Sequence, residues 1–343
     1  MRYFKKTLLL LLVGLLSFVV IYFEECSYGI GQLNGQLRIL REAKPLEEVL
    51  QNPQFPDSLK NRLHYIDTVK QFAIEELGLK ESESYTTLYD QKGEDILWNV
   101  TASNKYQLKP YEWSFPFAGS FSYKGFFEKE KAIALRNSLE AEGYESRIRP
   151  VRAWSTLGFF DDPILSNMLQ RSPGALAELI IHEMMHATLY VKDGVAFNEN
   201  LATFVGEQGA LRFLASHYSE TSKEFISYKN SLADYKIYAK YVLAQAEELD
   251  LLYQSISNKK VSEKDVLKAD FMKGFVMSLD SLPVSEESYY KRIFRKKMPD
   301  NNYFIGYRRY REKQSGFATQ LQEHGNGDIK QYIDWLKETY ESL

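Results

Sequence analysis

An almost uninterrupted apolar run from Leu8 to Phe23, preceded by Arg2, Lys5 and Lys6, opens the chain. A basic start ahead of an apolar core is the pattern of an export or anchoring segment. The run is just short of the roughly 17 to 25 residues of a spanning helix and longer than the roughly 7 to 15 of a cleaved signal core, so length leaves both readings open. Glu24, Glu25 and Cys26 follow, where a signal peptidase needs small side chains. They favour an uncleaved anchor over residues 1–26. Positive charge before the run and acidic charge after it predict a cytoplasmic N-terminus, with residues 27–343 outside, in the periplasm or cell envelope. Cys26 also stands where a bacterial lipoprotein carries its lipid. Lipid attachment there is the alternative, disfavoured by Glu25 in place of a small residue.

Beyond the anchor, residues 33–50 and 58–77 carry helical spacing. The second stretch places Leu63, Ile66, Val69, Phe72 and Ala73 on one face, and Gly78 follows as a C-cap glycine would. Between 85 and 160 the texture changes to short apolar and aromatic groups punctuated by glycine and proline. Ile96–Val100, Trp113–Phe117 and Arg147–Val151 read as strands, interrupted by one helix over Lys129–Gly143. From Pro173 onward helical patterns dominate, including Ser222–Ser257 and a further helix opening at Ser262 with Asp265 in its first turn. No internal repeat, low-complexity tract or Pro/Ser-rich linker divides the chain. The expectation is an α+β fold, mainly helical with a small sheet, in one domain over residues 27–343.

Composition narrows the chemistry. With 44% hydrophobic residues and 43 basic against 46 acidic side chains, neither disorder nor a globally nucleic-acid-binding surface fits. One cysteine excludes a disulfide scaffold and a multi-cysteine metal cluster. There is no G-x-S-x-G elbow and no phosphate-binding glycine loop with lysine. The basic cluster Lys291–Lys297, with Arg308, Arg309 and Arg311 later, is interleaved with aromatics. On an exported protein it reads as a solvated face or a contact with lipid head groups, not as a nucleic-acid site.

The informative segment is His182-Glu183-Met184-Met185-His186, inside a helical run from Pro173 to Val191 with Ser172 as N-cap and Pro173 at the first helical position. Histidines four residues apart share a helix face and can bind one Zn²⁺ through their ring nitrogens. The glutamate beside the first is placed to act as general base. Leu179, Ile180, Ile181, Ala187 and Thr188 are uncharged, as the flanks of a buried metal helix must be. A catalytic zinc site wants a third protein ligand. Downstream, Lys192-Asp193-Gly194 ends the helix, Val195–Phe197 reads as a short extended return, and Asn198 as the N-cap of a second helix. Glu199 in that helix's first turn is the expected ligand. Glu207, two turns deeper, is expected to hold a histidine ring by a hydrogen bond. His64, His217 and His324 have no acid or histidine at ligand spacing and read as structural.

Together with Trp98-Asn99-Val100, Phe115–Gly119, Ser122–Phe127, Ser155–Pro163 and Phe197–Ala202, the pentapeptide resembles the bacterial predicted aminopeptidases. This is a branch of the zinc peptidases that hold their metal with two histidines and a glutamate. The resemblance covers most of residues 30–340. It implies a zincin-like fold with His182, His186 and Glu199 as zinc ligands and Glu183 as catalytic base. Two features depart from the well-known aminopeptidases of this class. Only twelve residues separate His186 from Glu199, and the glycine-x-methionine-glutamate-asparagine signature that grips a free amine is missing.

Enzymes of this kind commonly bind substrate backbone along an edge strand beside the metal helix, and Ser155–Phe160 is the candidate, with a core strand as the alternative. A donor must also stabilise the oxyanion. The candidates are the tyrosines at 303, 307 and 310, with Tyr307 and Tyr310 foremost. Asp161 and Asp162, at the end of that candidate strand, are candidates for binding a substrate's α-ammonium, or else turn residues before Pro163. The functional expectation is a membrane-anchored zinc peptidase acting on peptide substrates. The alternative is a catalytically idle envelope scaffold that keeps the fold.

Overall fold

The N-terminal apolar run forms helix α1 (Arg2–Ile21), and past Tyr22 the chain resumes as α2 (Phe23–Glu42). Residues 2–115, 119–151, 161–192 and 194–342 are described by the computed structural model. Among the described residues no helix is long and apolar enough to cross a membrane. The helix expected over 33–50 is broken at Pro45, which lacks a donor and pushes the residue before it into extended backbone. Strand β1 (Lys44–Pro45) and the short helix α3 (Leu46–Gln51) follow. Helix α4 (Asp57–Glu75) buries Leu63, Ile66, Val69 and Ala73 as its spacing predicts. Gly78 then adopts φ +70°, and the Leu79 amide donates to the Ala73 carbonyl, which closes the turn.

The strand-rich middle holds β2 (Thr87–Tyr89), β3 (Trp98–Ser103), β4 (Trp113–Phe115), β5 (Gly119–Phe121), β6 (Lys124–Phe126), helix α5 (Lys129–Ala141), β7 (Glu145–Pro150) and β8 (Ile164–Leu165). They make three small sheets, ordered β1-β2-β8, β6-β3-β7 and β4-β5. In the second sheet β3 is central and antiparallel to both neighbours, with Asn99 opposite Gly125 and Arg149. The candidate substrate strand Ser155–Phe160 lies outside the described residues.

The helical half begins with α6 (Pro173–Thr188), capped by the Ser172 hydroxyl, which accepts from the Ala175 amide at 3.4 Å. It stops at Thr188, three residues earlier than the pattern suggests. The Thr188 hydroxyl folds back onto the Met184 carbonyl and accepts the Lys80 amide. The next helix, α7 (Val195–His217), contains the segment expected to be extended. Asn198 does not cap it. Its side chain instead accepts from the Val191 amide and donates to the Val191 carbonyl, so it closes the loop between the two helices. After α8 (Lys223–Ser255) comes α9 (Val261–Met277), which starts one residue before Ser262; Asp265 pairs with Lys105. The chain ends with α10 (Asn301–Arg311), α11 (Gln314–Gly325) and α12 (Ile329–Thr339).

Among the described residues three apolar clusters form the core. The largest gathers α4, α6, α7 and α12; a second lies among α8, α9 and α10; the smallest lies under α5 and β3. Helices α6 and α7 approach closely because glycine faces α6 where they meet. A Cβ on Gly206 would lie 2.9 Å from the Glu178 carbonyl and 3.3 Å from the His182 Cβ; one on Gly209 would lie 2.8 Å from a Leu77 methyl. This contact sets the distance between the helix that carries His182 and His186 and the helix that carries Glu199.

Candidate metal centre

His182 and His186 project from one face of α6, and Glu199 faces them from the second turn of α7. The two Nε2 atoms lie 3.1 Å apart, and the Glu199 Oε2 is 3.5 Å from each. Donors about 2.0–2.2 Å from one tetrahedral ion are separated by about 3.3–3.6 Å; the two 3.5 Å separations fall in that range and the 3.1 Å one lies just below it, so the three atoms are close enough together to hold one metal ion. Three electron-pair donors aimed at one space repel unless protons or a cation lie among them. Among the described residues this is the one group of three or more histidine, cysteine or acidic residues so arranged. Among the described residues the buried His186 Nδ1 has no hydrogen-bond partner.

The charges agree with a cation-binding role. Burial opposes ionisation of Glu199, but hydrogen bonds from the His182 and His186 rings overcome it and hold the carboxyl well below its ordinary pKa. For His182, burial disfavours the imidazolium. The hydrogen bond to Glu199 and the charges of Glu183, Glu199 and Glu178 outweigh it and raise the pKa.

The site opens into a cleft of about 840 Å³ that Glu183 also lines. One wall is built from α10, and another from β6, β7 and the segment before β6. Helix α2 contributes Tyr28, Gln32 and Gln36, and is tied down by the Gln32 amide donating to the Gly125 carbonyl at 3.0 Å. Tyr123, Tyr190, Arg309 and Tyr310 surround the donors. Burial and the Glu199 charge push the Tyr123 hydroxyl up to about 12. Crowding by the protein and the same charge raise Tyr310 as well. Both phenols therefore stay protonated at neutral pH and can serve as donors.

The residues flanking Glu199 explain its placement. Asn198 grips Val191, as described above. Asn200 is fully buried and donates to the carbonyls of Ala196, Arg308 and Arg309, while its Oδ1 accepts from the Lys313 amide. Glu199 thus sits between one asparagine that closes the α6–α7 loop and another that holds the end of α10. At its start α10 is held by Asn301, whose amide donates to the Asn104 carbonyl at 2.7 Å and whose Oδ1 accepts from Tyr253.

Several expectations change. Glu207 does not hold a histidine. It is 1% exposed and accepts from Arg311, with Lys236 at 3.3 Å, because α7 turns it away from the donors and toward α8 and α10. Tyr310 lines the cleft beside His182, His186 and Glu199, but Tyr307 lines a neighbouring recess and its hydroxyl accepts from Tyr303. Asp161 and Asp162 do not line the cleft; Asp162 is buried, with its carbonyl bound by the Tyr85 amide. His217 stacks on Phe213 and His324 on Trp335, both as structural aromatics. Tyr123 and Tyr190 were not anticipated. Only the short distance from Tyr190 to His186, one helical turn, could have pointed to one of them.

No curated protein and no solved structure matches the chain. A family model does match, across residues 27–342 and so across nearly all of the sequence after the apolar run. By that match the chain belongs to the family described as "Putative aminopeptidase".

Proposed function

We propose that the protein is a zinc-dependent peptidase, of aminopeptidase type by its family, with His182, His186 and Glu199 as metal ligands. The observation that carries this reading is the convergence of three ligand atoms, 3.1–3.5 Å apart, in a cleft that Glu183 also lines. Bound zinc would supply Lewis acidity, lowering the pKa of a water and polarising the scissile carbonyl. Glu183, one residue from a ligand and not itself among the three, takes the proton of the attacking water and passes it to the leaving amine. The protonated phenols of Tyr123 and Tyr310 are the groups placed to donate to the developing oxyanion. The basic start before Leu8–Phe23 supports membrane attachment with the catalytic domain outside the cytoplasm.

The test combines metal analysis with turnover. The purified protein should carry one zinc and hydrolyse peptides. His186→Ala should lose the metal. Glu183→Gln should keep it while turnover falls about 10²- to 10⁴-fold, since a base has been removed and not a ligand. Loss of zinc from Glu183→Gln as readily as from His186→Ala would sink this division of roles. Protease added to intact spheroplasts should digest residues 27–343; protection until lysis would place the domain inside.

A further inference from the structure

Three arginines, Arg149, Arg171 and Arg309, line the cleft, and further basic side chains stand around it. Lys268 is paired with Glu145, Arg147 with Asp300, Arg308 with Asp250 and Arg311 with Glu207. Arg149 and Arg309 are different. Both line the metal cleft, and among the described residues no carboxylate oxygen lies within 4 Å of either. Arg309 donates to a neutral partner, the Ser122 hydroxyl, at 2.7 Å. Arg149 stands on β7 beside the paired Arg147, at the wall the cleft shares with the neighbouring recess. That recess, of about 590 Å³, adds Lys296 and Lys297.

A guanidinium with no carboxylate in contact at a ligand cleft is a fork of donors shaped for one. The acids of the cleft are already committed: Glu199 faces the two histidines, and Glu183 stands beside them. Asp161 and Asp162, the groups expected to hold an ammonium, are not in the cleft lining. The recognition chemistry left open to substrate is therefore cationic.

We propose that Arg149 and Arg309 form a carboxylate-binding subsite of the metal cleft, so that preferred substrates are peptides with a free carboxylate within a few residues of the scissile bond. The inference rests on the peptidase reading and narrows it. The carboxylate is either the C-terminus of a short peptide or an acidic side chain. For an aminopeptidase, the first makes the enzyme one of short peptides, since its cleft then engages the far end of the chain it shortens.

The test compares matched substrates: Ala-Ala-Ala against its C-terminal amide, and Ala-Ala-Glu-amide against Ala-Ala-Gln-amide. A charge-assisted contact implies a preference of about ten- to a hundredfold for the acidic member of at least one pair, chiefly in KM. Preference in the first pair identifies the C-terminus, and in the second the side chain. Calorimetric titration of zinc-loaded Glu183→Gln with the same peptides reads the preference without turnover. Arg149→Gln and Arg309→Gln should shrink the acid-to-neutral ratio, and Arg309→Lys should restore part of it. Equal affinity and equal kcat/KM within both pairs would overturn the subsite, and the wild-type comparison decides this even if a variant fails to fold. A ratio unchanged in both glutamine variants would overturn the assignment to these arginines. Tighter binding of the acidic peptide with no cleavage of any peptide by the wild type would instead refute the peptidase reading and leave the subsite standing.

Discussion

Glu207→Ala separates the two glutamates of α7 most sharply. Glu207 is 1% exposed and Arg311 5% exposed, so the substitution leaves a guanidinium buried without its carboxylate. Breaking a buried pair from one side costs about 3–5 kcal/mol. Two local features place this case at the lower end. Arg311 keeps its contact with the Tyr235 ring, 3.9 Å from the ring centre. Glu178, whose pKa is raised by burial and then by the Glu207 charge, is relieved of that repulsion. A loss of about 3 kcal/mol, with an m value of about 3 kcal/mol/M for a chain this long, lowers the urea midpoint by about 1 M. Zinc stoichiometry measured well below the transition should stay at one. Glu207→Leu combined with Arg311→Met should recover most of the loss, since neither charge then lacks a partner. An unchanged midpoint with lost zinc would refute the reasoning and return Glu207 to the histidines.

Three further outcomes are expected. Glu199→Ala should weaken zinc affinity by more than the 10- to 100-fold typical of a group outside the ligand set, as read by competition with a chromogenic chelator; a smaller effect would remove Glu199 from that set. Gly206→Ala should also weaken zinc binding, because its Cβ meets the Glu178 carbonyl and forces α6 away from α7; unaltered affinity would show that the helix spacing is not what places Glu199. The third is a pH effect. The folded pKa of Glu178 is raised from 4.5 by burial and by Glu207, against a hydrogen bond from Tyr228. Its stabilising contribution is therefore complete below about pH 4.5 and is lost as pH rises through the raised value. Glu178→Gln should accordingly raise Tm at pH 7 and leave it unchanged near pH 4, and a gain confined to low pH would contradict the sign.

What the sequence made legible was whatever depends on local periodicity. Ser172 and Pro173 mark the start of α6, the four-residue spacing puts His182 and His186 on one face, and the apolar face of α4 is buried as its pattern requires. The mainly helical α+β class follows from the same regularities. Misreadings arose where a side chain acts at long range. Asn198 looks like a helix cap, yet it satisfies Val191 across the loop, so α7 starts earlier. Glu207 shares a helix with Glu199 and was assigned to the same site, but its partner Arg311 lies more than a hundred residues away and nothing local points to it. Tyr123 reaches the cleft from the segment before β6, and Tyr307 turns toward Tyr303, one helical turn back on α10; in a chain with 24 tyrosines, spacing cannot sort such roles.

Asn200 also ties the segment that carries Glu199 and the α10 wall of the cleft into a single mechanical unit. Its amide holds the carbonyls of Arg308 and Arg309, and the neighbouring residue is Glu199 itself. If a peptide settles against Arg309 and Tyr310 as proposed, a displacement of α10 would be transmitted through one side chain to the backbone that carries the carboxylate. Conversely, a change in how Glu199 is held would reach the α10 wall of the cleft. Engineering that retunes this wall for a new peptide will alter zinc retention as well, unless the α10 carbonyls keep their grip on Asn200.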